Sequence, residues 1–139
     1  RIGPGESVAL HMPKSCHAEA NTHAIVLRGA VVVSIADSFA PSEIAVRLRV
    51  SRAVAVFAQD YVSRGRGAAP LPLFERVAEA RAPRAVVLPV ARVGRAWGEQ
   101  EHERDGLEGV ALRPGDLSWG EFLSLSSGGR GGTGCWGRR

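Results

Sequence analysis

Residues 31–48 read VVVSIADSFAPSEIAVRL, and this stretch restricts the fold more than any other in the chain. Ala30 to Ala36 is a continuous β-branched run. Such a run lacks the apolar–polar alternation of a half-solvated strand and suits a central strand covered on both faces. The helix after Phe39 is well marked. Pro41 fits the first helical turn, where its missing N–H costs nothing. Glu43 and Arg47 lie four apart in the favourable order, and Ile44 and Leu48 share one core-directed face. Strand, short loop and helix in that order make the repeating unit of open α/β sheets. In such sheets the loop at the strand's carboxyl end is where ligands dock.

The rest of the chain repeats this unit. Ser7 to Met12 follows the turn signal Gly3-Pro4-Gly5, alternates like a strand and stops at Pro13. A helix is predicted from about Ser15 to Arg28, closed by Gly29. Ala53 to Ala58 reads as a third strand, Arg64 to Pro72 as a Gly/Pro/Arg loop, Leu73 to Arg81 as a helix and Ala85 to Val90 as a fourth strand. Crossovers of about a dozen residues or more predict an α/β chain with a mainly parallel sheet and right-handed connections. Gly98 to Glu108 is polar and acidic, an expected exposed excursion. Ser118 and Glu121 form an S-x-x-E capping box that would start a short helix at Trp119, with Trp119 anchoring it. From Ser124 onward the chain is Ser/Gly/Arg-rich without periodicity and reads as disordered. The expected division is therefore residues 1–123, a partial α/β subdomain, and residues 124–139, a tail. One helix misbehaves: His17, Glu19, Asn21 and His23 are many polar groups for a helix covering a sheet. A polar outer face and a local sequence aberration both account for them.

Composition removes several function classes. The chain has 139 residues, 45% of them apolar, enough for one domain or part of a larger one. Because it begins at Arg1, it is expected to be a piece of something longer, or a processed or incomplete product. No apolar run approaches the roughly eighteen residues of a membrane span. The net charge of +4 is carried by scattered arginines, with Lys14 the one lysine. This favours anionic ligands weakly and does not indicate specific nucleic-acid binding. Arg130-Gly131-Gly132 with Trp136 is a single RNA-binding-type triplet, a reading that would demand steeply salt-dependent binding. Cys16 and Cys135 form neither a disulfide framework nor a metal spacing, which leaves a reducing intracellular compartment as the expectation. His11, His17, His23 and His102 lack zinc-site spacing and read as surface or half-buried. Cys16 has no evident base, and Asp60 and Glu75 fall on different elements, not as an acid/base pair.

Taken in order, Gly5-Glu6-Ser7-Val8-Ala9-Leu10 with Met12-Pro13, Gly29-Ala30-Val31-Val32-Val33, the run 31–48, Ala53 to Ala58, PLPLFERVAEA, VVLP and DLSWGEFL resemble one family. It is the AMP-forming acyl-CoA synthetases of the adenylate-forming ligase superfamily, and the likeness is to plant peroxisomal acyl-activating enzymes related to acetyl-CoA synthetase. It covers roughly residues 3–123, the N-terminal subdomain. The family implies a two-step acid–thiol ligase. A carboxylate attacks the α-phosphate of ATP to give an acyl-adenylate and pyrophosphate, with Mg²⁺ stabilising phosphate charge. The CoA thiol then takes the acyl group and releases AMP. Location is implied as intracellular, peroxisomal or cytoplasmic, although Trp136-Gly137-Arg138-Arg139 is not a peroxisomal address.

The family's Ser/Thr/Gly phosphate loop ending in lysine, its adenine motif and its adenylating lysine do not occur in the chain. Residues 126–134, SSGGRGGTG, imitate the loop by composition but lack the lysine. No catalytic residue is therefore assigned, and the chain alone is expected to release no pyrophosphate. The resemblance implies that Asp37, Ser38 and Phe39 line the adenine and ribose side of CoA and that Arg64 and Arg66 meet its phosphates through paired N–H donors. Two family glycines are replaced here by Asp37 and Ser38, and the arginines are spaced Arg-Gly-Arg. A second reading stands beside this one, in which Ser38 and Pro41 merely begin a helix and the arginines are a solvated loop. At the level of function the alternative is a non-catalytic module that binds CoA, a nucleotide or a partner. If part of the sheet is missing over Val31 to Ile35, exposed apolar surface is expected there.

Overall fold

Val8, Ala9, Leu10 and His11 are all buried, which places strand β1 (Ser7–His11) inside a sheet and not at its rim. The computed structural model describes residues 2–62, 69–89, 107 and 110–127. Along these the chain runs through α1 (Cys16–Leu27), β2 (Val31–Ile35), α2 (Pro41–Ser51), β3 (Ala53–Gln59), β4 (Tyr61–Val62), β5 (Leu71–Pro72), α3 (Leu73–Glu79), β6 (Ala85–Leu88), β7 (Leu117–Ser118) and α4 (Trp119–Ser127). Five strands form one parallel sheet in the order β2-β1-β3-β6-β7, the α/β architecture expected from the sequence.

Alternation along the strands divides the core into two layers. Ala9, Ile35, Val56 and Val87 meet Ile44 and Leu48 of α2 and Phe74 and Val77 of α3. Val8, Leu10, Phe57 and Val86 meet Ile25 of α1, with Trp119 and Phe122 of α4 packed against them. Phe57 receives both aromatic rings edge-on, with centroids at 6.3 Å (Trp119) and 5.3 Å (Phe122), so Trp119 does anchor the short helix.

The caps follow the chemistry of their residues. Ser15 Oγ accepts the Ala18 N–H at 3.2 Å and begins α1. Gly29, at φ +73°, ends it; a Cβ there would lie 3.3 Å from Pro4 Cβ. Ala40 has no capping side chain, but its own N–H donates to Glu43 Oε2 at 3.0 Å, ahead of Pro41. Ser118 and Glu121 make the reciprocal box, at 2.8 and 3.2 Å. The polar residues of α1 turn back on their own helix. Asn21 Nδ2, Thr22 Oγ1 and His23 Nδ1 donate to the carbonyls of His17, Ala18 and Glu19, and Glu19 and His23 face solvent. A polar outer face therefore accounts for most of this segment, with Asn21 as a buried, self-satisfied exception.

Several expectations need correction. The β-branched run 31–35 is not central: among the described residues β2 is an edge strand, and Val31 is 49% exposed. Apolar residues on both faces record two covering layers, not two flanking strands. Residues 71–72 are not loop but pair antiparallel with Tyr61 and Val62. Leu117 and Ser118 add a two-residue strand that no periodicity announces. Helix α4 continues to Ser127, past the expected onset of disorder, while residues 128–139 lie outside the described residues. Of the expected excursion Gly98 to Glu108, Leu107 is half-buried against the α2–α3 layer, and the other residues lie outside the described residues. No helix among the described residues is long and apolar enough to cross a membrane.

Candidate functional site

The order β2-β1-β3-β6-β7 reverses between β1 and β3: the chain first adds a strand on one side of β1, then builds outward on the other. Loops leaving the carboxyl ends of β1 and β3 diverge to opposite faces there, the kind of position at which open α/β sheets bind ligands. Four segments converge on this edge: the end of β1 at His11, the β2–α2 loop with Asp37, Ser38 and Phe39, the end of β3 at Gln59 and Asp60, and the start of α3.

His11 is fully buried, which corrects its reading as a surface or half-buried histidine. Its Nδ1 lies 3.4 Å from the Ile35 carbonyl and donates to it, a long bond that ties β1 to the end of β2. Nε2 then carries the lone pair of a neutral ring and finds no partner among the described residues. Burial lowers the His11 pKa; the Ile35 hydrogen bond and the field of Asp37 oppose this, and the Arg76 charge adds to it. Gln59 is also buried. Its Nε2 donates to the Tyr61 carbonyl at 2.7 Å, and its Oε1 is likewise without a partner among the described residues. Asp60 Oδ1 accepts the Tyr61 N–H at 2.7 Å, and the Asp60 carbonyl accepts the N–H groups of Leu73 and Phe74 at 2.9 and 3.1 Å. The start of α3 thus hangs from the end of β3.

The expected ligand loop is ordered by its neighbours. The Phe39 N–H donates to the Ala36 carbonyl at 3.2 Å. The Arg47 guanidinium lies over the Phe39 ring, 3.8 Å from its centroid, and occupies that face of it. Arg76 Nη1 donates to the carbonyls of Ser38 and Phe39 at 3.4 and 3.0 Å. Ser38 is exposed and Asp37 partly so. Arg64 and Arg66 lie outside the described residues. Their segment is bracketed by the β4–β5 ladder, which pairs Tyr61 with Pro72 and Val62 with Leu71. Cys16, exposed, has His17 Nδ1 3.6 Å from its sulfur, a neighbour the sequence reading did not credit as a base. No cluster of three metal-ligating side chains occurs among the described residues.

Sequence reasoning missed His11, Gln59 and Arg76. The polar pair Gln59-Asp60, placed straight after the apolar run AVAVFA, is a legible signal for a strand's carboxyl end. Arg76 gives no signal, since an arginine on a helix normally reads as solvated.

The profile of the AMP-binding enzyme family matches residues 1–119. The chain belongs to this family. Among curated members it is 43% identical over 120 residues to "Probable acyl-activating enzyme 18, peroxisomal" of Arabidopsis thaliana, covering 86% of this chain and 14% of that protein. It is 43% identical over 119 residues to "Hexanoyl-CoA synthase" of Cannabis sativa, with the same coverage. This AMP-binding family chain therefore spans about one seventh of the length of the curated relatives it matches. Its fold is similar to that of acetoacetyl-CoA synthetase from Streptomyces lividans, with a TM-score of 0.63 at 21% identity over 86% of this chain and 16% of that one.

Proposed function

We propose that this chain forms the CoA-facing edge of an ATP-dependent acid–thiol ligase. The observation that carries the reading is the position of the Asp37–Phe39 loop, ordered and partly exposed at the carboxyl edge beside the switch point, in a chain of the AMP-binding family. In the complete reaction a carboxylate oxygen attacks the α-phosphate of ATP and pyrophosphate leaves. The CoA thiolate then attacks the acyl carbon and AMP leaves. Mg²⁺ supplies charge neutralisation on the phosphates. Within this chain, Asp37, Ser38 and Phe39 meet the adenine and ribose end of CoA, and Arg64 with Arg66 pairs its phosphates. A carboxylate at Asp37 can accept a hydrogen bond from the one free hydroxyl of the CoA ribose and repels the phosphates on either side of it, so the arginines are needed to offset that repulsion.

The relative named as a hexanoyl-CoA synthase favours a short-chain or medium-chain carboxylate, and the relative named as peroxisomal favours a peroxisomal over a cytoplasmic setting. Adenylation itself draws on a phosphate loop and a lysine that residues 1–139 do not carry, because Lys14 is the one lysine. That count favours a second reading for the chain taken alone, a CoA- or nucleotide-binding module without ligase activity. Calorimetric titration of the purified chain with CoA, and separately with ATP–Mg²⁺, tests both. Saturable CoA binding that weakens with salt and is lost in Arg64→Ala supports the CoA edge. A folded sample that binds ATP–Mg²⁺ but not CoA contradicts it. Pyrophosphate release with ATP and a carboxylate overturns the inactive-module reading.

A further inference from the structure

Arg76 reaches from α3 to a loop that belongs to another part of the sheet. Its Nη1 carries two N–H groups and meets two acceptors, the Phe39 carbonyl at 3.0 Å and the Ser38 carbonyl at 3.4 Å. The other hydrogen bonds described for this loop are local. The Phe39 N–H bonds Ala36 within the turn, and the Ala40 N–H bonds Glu43 within the helix that follows. The guanidinium is itself well placed, because α3 begins on two hydrogen bonds to the carbonyl of Asp60 at the end of β3. The loop after β2 is thereby fixed relative to the end of β3, across the switch point between them.

We propose that Arg76 is a positioning residue for the ligand loop. It holds the backbone of Ser38 and Phe39 in one form before CoA arrives, so that binding does not have to order the loop. The inference rests on the reading of that loop as the CoA-facing one. An arginine suits the task because it stays charged and its planar donors are already splayed toward two carbonyls, whereas lysine offers a mobile point charge.

The test is amide hydrogen exchange over residues 36–40, run with CoA titration, on the full chain and its Arg76→Ala and Arg76→Lys variants. Losing two charge-assisted hydrogen bonds is expected to speed exchange at Phe39 by about tenfold or more and to weaken CoA by a similar factor. Exchange in β1 and β3 should stay as in the parent chain, and Arg76→Lys should recover part of both losses. If Arg76→Ala does not fold, Arg76→Gln, which is too short to span to both carbonyls, is read in the same way. Unchanged exchange at residues 37–39, or a loosened loop with undiminished CoA affinity, overturns the proposal. Absence of CoA binding in the parent chain overturns the ligand reading instead, and the exchange rates alone then decide the clamp.

Discussion

The two ends of the sheet are finished differently. At the amino end, Arg113 and Asp116 form a closed clasp. Asp116 takes the Arg113 Nε at 2.7 Å, the Arg113 Nη2 at 3.0 Å and the Ala85 N–H at 2.8 Å, and Arg113 also donates to the carbonyls of Ala82 and Pro83. The donors and acceptors there satisfy one another, and β7 is held beside β6. At the carboxyl end, His11 Nε2 and Gln59 Oε1 are buried and lack partners among the described residues. An unmet buried polar atom costs about 1–3 kcal/mol. The amino end is built to hold strands together. At the carboxyl end two buried polar atoms stay unpaired among the described residues, on the edge proposed to bind the ligand.

The clasp offers the largest effect by which to break this contrast. The Asp116 side chain is 2% exposed and that of Arg113 28%, so Asp116→Ala strands a partly buried guanidinium and the Ala85 N–H. A loss of about 3 kcal/mol is expected in urea unfolding; a loss below about 0.5 kcal/mol would place the clasp among ordinary surface pairs. At the other end the sign reverses. His11→Leu removes an unsatisfied atom at the cost of one long hydrogen bond, and should be neutral or stabilise the fold by about 1 kcal/mol. A clear destabilisation would show that His11 Nε2 has a partner after all.

Proton linkage sharpens the same point. Burial lowers the His11 pKa in the fold, so the unfolded chain binds this proton more readily. Its contribution to stability is therefore present above the unfolded histidine value of about 6.5 and declines as pH falls below it. Unfolding at pH 7.5 and 5.5 should show a loss at the lower pH that shrinks in His11→Leu; an equal loss in both chains would contradict the assignment. The smallest effect belongs to the Phe39–Arg47 stack. Arg47→Ala should cost about 0.5–1 kcal/mol, measured by thermal unfolding. No change would show that the stack adds nothing to the stability of the fold.

What was legible in the sequence was whatever leaves a local signature. Pro41, Ser15, Gly29 and the Ser118–Glu121 box mark helix ends because caps act within four residues, and the apolar runs mark the strands of a parallel sheet. The features that were missed depend on partners far along the chain. Val31 to Ile35 reads the same whether central or at an edge, since edge status depends on which strands pair. Leu117-Ser118 is a strand because β6 is there to receive it. His11 is buried because α2 and α3 cover β1, and Arg76 matters because its partners lie 37 and 38 residues away. The candidate loop at residues 37–39 was legible from its strand–loop–helix setting, whereas the residues that hold it were not.

The central claim is that the carboxyl edge, and not the clasped amino edge, receives the ligand. Its most direct test is a backbone amide NMR titration of the full chain with CoA. The account predicts saturable shifts at Asp37, Ser38, Phe39 and Ala40, with Ala85 and Asp116 unmoved. Shifts confined to the amino edge, or none at all in a folded sample at millimolar CoA, would contradict it.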